Sequence, residues 1–291
     1  MRKLPLAARC DHAGGSQVII DTVQRWELGR ESRRPAGDPI RTSEYDVIPL
    51  DTWSVARDFV ATHHYAGDTS PTSHSFGLYR RAELAGVALF GPPASMNAHR
   101  FVWPTLTIDQ AVTLGRLVLL EDVPGNGESW FVARCFEHLA DRGIIGVESC
   151  ADPAPRTTLE GEPIHRGHLG IVYQALNAQH TGHTNRATLR LLPDGTCLSN
   201  RSAGKVVRGE RGAGSVVAKL MRWGADALRD GEDPLAWLQL WRDRLTRKMR
   251  HPGNFRYLWC LDRRRRREVL GRHKMVAYPK WQPKENTLGD R

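Results

Sequence analysis

Apolar and polar positions alternate irregularly up to about residue 44, and from there the pattern becomes ordered and changes period several times. Residues 45–50 alternate as a short strand. Asp51 stands where a cap is needed for a helix over 52–63, in which Trp53, Ala56, Phe59 and Val60 recur at helical spacing. Stretches 73–80 and 84–91 read as a hairpin across Arg81, Ala82 and Glu83, closed by Pro92-Pro93. The run 113–120 is almost wholly apolar, broken only by Gly115 and Arg116, as befits a central strand covered on both faces. A glycine loop leads from it into a helix ending near Arg142, with Val132, Cys135, Phe136 and Leu139 on one stripe. A buried strand over 144–150 follows, then a Pro-rich loop over 151–163 and a short helix over 170–178 holding Tyr173. A second hairpin pairs 187–192 with 196–200 across Pro193, Asp194 and Gly195. Helices are expected over 213–229 and 234–249, then a last strand over 256–261, an arginine-rich helix and a Pro-containing tail. Before residue 43 the breakers Gly14-Gly15 and Pro35-Ala36-Gly37-Asp38-Pro39 mark an irregular arm, with one short helix plausible at 16–28.

This element order predicts an α/β fold: a mixed central sheet with flanking helices, a strand, Gly loop and helix unit at its centre. It is the order of the acetyltransferase-type (GNAT) fold. The expected organisation is an irregular arm over 1–42, a GNAT-like core over 43–228 and a basic extension over 229–291 that adds a last strand.

Composition narrows the class. With 40% hydrophobic and 25% charged residues the chain is globular. It has no run approaching the ~18 apolar residues of a membrane span, and its first residues lack an apolar signal segment. Its five cysteines are widely spaced and include no C-x-x-C, against a disulfide scaffold or a zinc knuckle. A soluble cytoplasmic protein is expected.

Charge adds a partner. Of the net +10, residues 229–291 contribute +9 (17 Lys/Arg, 8 Asp/Glu), residues 1–42 contribute +3, and 43–228 contribute −2. Such asymmetry points to a polyanion, because Lys and Arg release condensed counterions when they meet phosphates. Arg263, Arg264, Arg265, Arg266 and Arg267 form the densest run and are the expected DNA contacts; a solvated helix face is the plain alternative.

Candidate chemistry gathers at four places. Gly125, Asn126, Gly127 and Ser129 join a buried strand to a helix N-terminus, where backbone N–H groups and the helix dipole suit an anionic cofactor. No Gly-Lys-Ser/Thr follows, so this is not a nucleotide P-loop. Arg116, inside an apolar strand, needs a partner, which Glu148 on the next strand or a bound anion can supply. His64 and Tyr65 close the first helix before a glycine turn. Asp152 lies at the carboxyl end of a strand, where open α/β sheets bind ligands. His165-x-x-His168 and His180-x-x-His183 have metal-compatible spacings without an obvious third ligand.

The ordered set His64-Tyr65-Ala66-Gly67, Leu114-Gly115-Arg116-Leu117, Asn126-Gly127-Glu128-Ser129, Ser149-Cys150-Ala151-Asp152, Gly170-Ile171-Val172-Tyr173-Gln174-Ala175, Arg256-Tyr257-Leu258 and Tyr278-Pro279-Lys280 resembles the Mom DNA-modification family, whose namesake comes from phage Mu. The resemblance spans roughly 44–280. It implies a GNAT-like transferase that places a methylcarbamoyl (acetamide-type) group on adenine N6 of double-stranded DNA, protecting phage DNA from host restriction. It also implies functional roles for His64, Tyr65, Arg116, Ser129, Asp152 and Tyr173, with an acetyl-CoA-type donor; iron has also been proposed for the family. The long amino-terminal arm, the extended loop 153–168 and the heavier basic tail depart from the namesake. An N-acetyltransferase acting on a small amine or aminoacyl-tRNA and a non-catalytic nucleic-acid-binding protein are the other readings.

Overall fold

A computed structural model describes residues 22–28, 30–64 and 69–280. The chain opens on a hairpin, β1 (Thr22–Glu27) with β2 (Arg30–Pro35). This replaces the helix expected at 16–28 and the irregular reading of 22–35; the earlier part of the arm lies outside the described residues. Then come β3 (Tyr45–Pro49), α1 (Trp53–His63), β4 (His74–Arg80), β5 (Glu83–Gly91), α2 (Met96–Val102), β6 (Ala111–Leu119), α3 (Gly127–Asp141) and β7 (Gly146–Ala151). Two short strands, β8 (Arg156–Thr157) and β9 (Pro163–His165), precede α4 (Ile171–Ala175) and β10 (Gln179–His183). The last third holds β11 (Ala187–Leu191), α5 (Asn200–Arg208), α6 (Ala213–Arg222), α7 (Pro234–Leu245), β12 (Arg247–His251), β13 (Phe255–Cys260) and α8 (Arg266–Leu270).

Seven strands form the central sheet, in the order β10-β13-β7-β6-β5-β4-β3. The β6–β7 pair is parallel and every other neighbour is antiparallel. The expected mixed α/β sheet is therefore present, with α3 as the crossover between its parallel strands. Helices cover both faces. Phe131, Val132, Cys135 and Leu139 of α3 and Tyr173 of α4 pack with Phe76, Phe90, Leu114 and Val147 on one face. On the other, Ala56 and Val60 of α1 meet Val87, Leu89 and Val118, while Val102 of α2 and Val269 and Leu270 of α8 meet Ala111 and Leu258. The helical spacing of α1 is right, but Trp53 is exposed, Phe59 is half-buried, and Thr52 rather than Asp51 stands at its N-cap, without a side-chain cap bond.

Residues 184–254 form an insertion between β10 and β13, which themselves pair as neighbours. The insertion has its own core of Leu192, Leu198, Val206, Leu220, Trp237, Leu238 and Trp241. A boundary at 228 would cut through this packed unit. Three local expectations are corrected here. β11 pairs with β12, and the expected 187–192/196–200 hairpin is reduced to a single bridge, Leu191 to Cys197. α7 stops at Leu245 and the basic stretch after it is strand β12, which pairs along its whole length with β11 and alternates in burial. Helix α5, capped by Ser199 accepting from the Ser202 N–H, was not anticipated.

Candidate functional site

The parallel strands part before they end. β6 and β7 are paired from Ala111 opposite Gly146 to Leu114 opposite Ser149, and the last five residues of β6 run on beside β5 alone. Gly115 is the extra residue of a bulge between the pairs Leu89–Arg116 and Phe90–Leu114, and bulges re-aim the side chains that follow them. A Cβ on Gly115 would stand 2.2 Å from Ser70 Oγ, so the missing side chain lets that segment pack against the strand there. The buried Ser149 hydroxyl donates to the Leu114 carbonyl at the fork, 3.0 Å away.

Arg116 lies just past the fork, half-buried, one guanidinium nitrogen 2.7 Å from the Gly115 carbonyl. Because β7 no longer runs opposite it, Arg116 does not pair with Glu148. That carboxylate takes Arg256 of β13 at 3.0 Å instead, and burial raises its pKa while Arg256 holds it down. His64 caps the C-terminus of α1, its N–H donating to the Val60 carbonyl, and is buried. Burial, then the nearby charges of Arg116, His168 and His165, push its pKa down to about 3. His64 is therefore a neutral imidazole beside a guanidinium. Tyr65 lies outside the described residues.

Asp152, one residue beyond β7, is the most heavily engaged carboxylate. Oδ1 accepts from the Ala154 N–H (2.9 Å) and His251 Nε2 (2.9 Å), and Oδ2 pairs with Arg156 (2.7 Å). Burial alone would raise its pKa, but Arg156, His251 and the Ala154 N–H together hold it below the usual value. His251 Nδ1 accepts from the Gly253 N–H, which leaves Nε2 carrying the proton it donates to Asp152. The two loop histidines fold back onto the same residue: His165 Nε2 donates to the Asp152 carbonyl (3.3 Å) and His168 Nε2 accepts from its N–H (3.4 Å). As an acceptor His168 is neutral, and burial, with His165 next, pushes its pKa to about 4. Their spacing thus serves the loop; among the described residues no group of three or more His, Cys, Asp or Glu could hold a metal ion.

Tyr173 is buried in the aromatic core, its ring 5.3 Å from Tyr257, 5.6 Å from Trp259 and 6.5 Å from His168. It forms the wall behind the histidines. His64, Arg116 and Asp152 with its partners are thus brought to one end of the sheet, as the sequence reading expects. His251 and Arg156 were missed. His251 lies just past the helix expected over 234–249, in a stretch given no role, and the pairing of β12 carries it to Asp152.

The glycine loop is occupied by the chain itself. The Gly125 N–H donates to the Ala36 carbonyl at 3.0 Å, and a Cβ on Gly125 would meet that oxygen at 2.5 Å. Asn126 Oδ1 accepts from the Ile40 N–H at 2.7 Å, and the Ser129 hydroxyl donates to the Asn126 carbonyl. Gly127 packs against Val123. Glu128, in the first turn of α3, is ion-paired with the buried Arg25 of β1, which also donates to the Val123 and Pro124 carbonyls. The space a pyrophosphate would fill thus holds residues 36–40 and a carboxylate, and the loop as folded does not fit that group.

Residues 47–280 match the model of the Mom protein family. The chain belongs to the Mom family. The match takes in the whole site end and the insertion and leaves out the β1–β2 hairpin that covers the glycine loop. No curated protein matches this Mom family member. Among solved structures it is similar to an N-acetyltransferase from Staphylococcus aureus Mu50 (9% identity, TM-score 0.33, 75% of this chain and 99% of that one). It is also similar to a Bacillus subtilis acetyltransferase in complex with CoA (11%, 0.29, 81% and 98%). A tandem GNAT protein of the clavulanic acid biosynthesis pathway is a third (11%, 0.33, 68% and 67%). Those scores are low, and the fold rests on the strand order and the forked parallel pair.

Arg263, Arg264, Arg266 and Arg267 are exposed and line an open cleft of about 410 Å³ with Gln179, Leu270 and Gly271. Arg265 pairs with Glu268. The run follows Cys260, which lies opposite Gly146 at the start of β7, whereas Asp152 follows the end of that strand. About 17 Å of strand separates the two levels. No helix among the described residues is long and apolar enough to cross a membrane.

Proposed function

We propose that this Mom family protein is a DNA-modifying transferase acting on adenine N6, adding a methylcarbamoyl (acetamide-type) group and so protecting phage DNA from restriction. One observation carries the reading: the family match spans residues that the fold gathers at the forked end of β6 and β7, namely His64, Arg116 and Asp152. Adenine in a duplex is reached by flipping the base into a pocket. The N6 lone pair is delocalised into the ring, so the site must position the amine against an electrophilic carbon. As the N–C bond forms and the donor's leaving group departs, N6 becomes a strongly acidic cation. A base of low pKa suffices for its proton, provided the base is unprotonated, and neutral His64 meets that condition at every physiological pH. Arg116 is placed to hold an anionic group beside it. Asp152, held by three donors, acts as a positioning residue, and Tyr173 backs the histidine cluster. An acetyl-CoA-type donor agrees with the forked strands but not with the glycine loop as folded, so no step is assigned to it.

Nucleoside mass spectrometry of DNA from cells expressing the chain tests the reading. A new adenosine derivative, absent with Arg116→Ala, is expected. Unmodified DNA together with an acetylated small amine or aminoacyl-tRNA would replace it with the acetyltransferase alternative.

A further inference from the structure

The insertion at 184–254 carries 14 Lys/Arg against 7 Asp/Glu, a net +7. It leaves the sheet after His183 and returns at Phe255, which lies opposite Ala151, so both of its roots are at the level of the site. Its strand β12 has two faces of different character. On the inner face His251 reaches Asp152 and Arg247 donates to the Thr157 carbonyl, 2.6 Å away, seating the insertion on the loop beside the site. On the outer face Lys248 and Arg250 are exposed, as period-two alternation requires. Arg186 joins them from the residue before β11, whose Ala187 pairs with His251. These three cations make no ion pair among the described residues, unlike Arg190, Arg242 and Arg208, which are paired with Asp243 or Glu210. Arg250 is adjacent to the residue touching Asp152, and Lys248 is about 10 Å along the strand.

Building on the adenine reading, we infer that the β11–β12 hairpin of the insertion, through Arg186, Lys248 and Arg250, is the surface on which duplex DNA docks, and that the arginine run at 263–267 is not. Phosphates held on this hairpin place the neighbouring bases beside the site, whereas phosphates held on the run sit at the opposite end of the sheet. Three like charges on one short two-stranded ribbon, none of them neutralised, suit a phosphate backbone and have no evident use in the fold.

The test measures the affinity of the full chain for a 5′-labelled duplex of about 20 base pairs across a salt series. Each phosphate neutralised contributes about 0.9 to the log–log slope. The variant R186Q/K248Q/R250Q should flatten the slope by about 2 to 3, and the Gln variant of 263–267 by less than about 1. Because all three residues are exposed, the melting temperature should not change, and a folding defect would show there. An unchanged slope in the triple variant, or a large loss confined to the 263–267 variant, overturns the docking surface and leaves the adenine reading standing. The adenine reading fails separately, if a wild-type chain that binds the duplex leaves its nucleosides unmodified.

Discussion

Residues 184–254 and 255–291 each carry a net +7, and the rest of the chain carries −4. In sequence the second region looks the stronger DNA binder, because five arginines stand in a row. In the fold the first region lies nearer the candidate site. The first region is rooted at the end of the sheet where β6 and β7 fork and touches Asp152 through His251, while the arginine run follows Cys260 at the other end. Charge density alone suits a polyanion; topology tells which charges lie at the level of Asp152. The site end is also the end that is built over, by the insertion on one side and by the β1–β2 hairpin on the glycine loop. Basic residues there stand in two different environments. Arg25 is buried and paired, and Lys248 and Arg250 are exposed and unpaired.

The contrast between buried and exposed cations gives the largest expected effect. Arg25→Met leaves Glu128 buried without its partner and should cost about 3–5 kcal/mol of stability, measured by urea unfolding. The double change Arg25→Met with Glu128→Leu should recover most of it, since two apolar groups of similar volume remove both charges. A single change that costs under about 1 kcal/mol would remove the hairpin's role as a seal on the loop.

Next in size is the link between insertion and site. Asp152→Asn removes the charge that holds Arg156 and His251, and small displacements of reacting groups cost about 100-fold in rate. Modification should fall by about that factor while duplex affinity stays within about threefold. A parallel loss of affinity would mean that Asp152 orders the docking surface and not the site.

The neutral histidines predict an acid-sensitive site end. His64 and His168 titrate at about 3 and about 4 in the fold against about 6.5 unfolded, so between those values the unfolded chain binds more protons. Stability is full above pH 6.5 and declines as pH falls, by up to about 1.4 kcal/mol per unit for each histidine. His168 stops contributing near pH 4 and His64 near pH 3. Asp152, whose pKa is lowered, begins to lose its contribution as pH falls through the normal carboxylate value of 3.8, below the range of the urea measurements. Urea midpoints at pH 7.5, 6 and 5 measure the decline, and His64→Phe should remove about half of it.

The smallest effect is expected at the far end. Replacing 263–267 by Gln should change the modification rate by less than about twofold, because these side chains lie about 17 Å of strand away from Asp152. A tenfold loss would move the partner's footprint to that end.

Much of the sheet was legible in the sequence because its strands are apolar runs bounded by turn residues; β4, β5, β6 and β7 fall within a few residues of expectation. His64, Arg116 and Asp152 could be picked out as residues at element ends or as a charge within an apolar strand. What stayed hidden depends on pairing between distant segments. Nothing near Arg116 announces that β7 has already diverged, so Glu148 seemed a natural partner until the register assigned it to Arg256. Nothing near Gly125 announces that Ala36 will take its N–H, because a glycine fitted to an approaching carbonyl and a glycine fitted to a phosphate read alike. Residues 247–249 read as the end of a helix, yet cross-strand pairing with β11 makes 247–251 the strand that brings His251 to Asp152.

The proposed function assigns adenine modification in DNA to the cluster at the forked end of β6 and β7. Its most direct test is mass spectrometry of nucleosides from duplex DNA recovered from cells expressing wild-type chain, His64→Ala or Arg116→Ala, each variant confirmed folded by its melting curve. An adenosine derivative heavier by one N6-linked methylcarbamoyl (acetamide-type) group is expected in the wild type only. Unmodified adenosine in the wild type, or the same derivative at undiminished level in both folded variants, would contradict it.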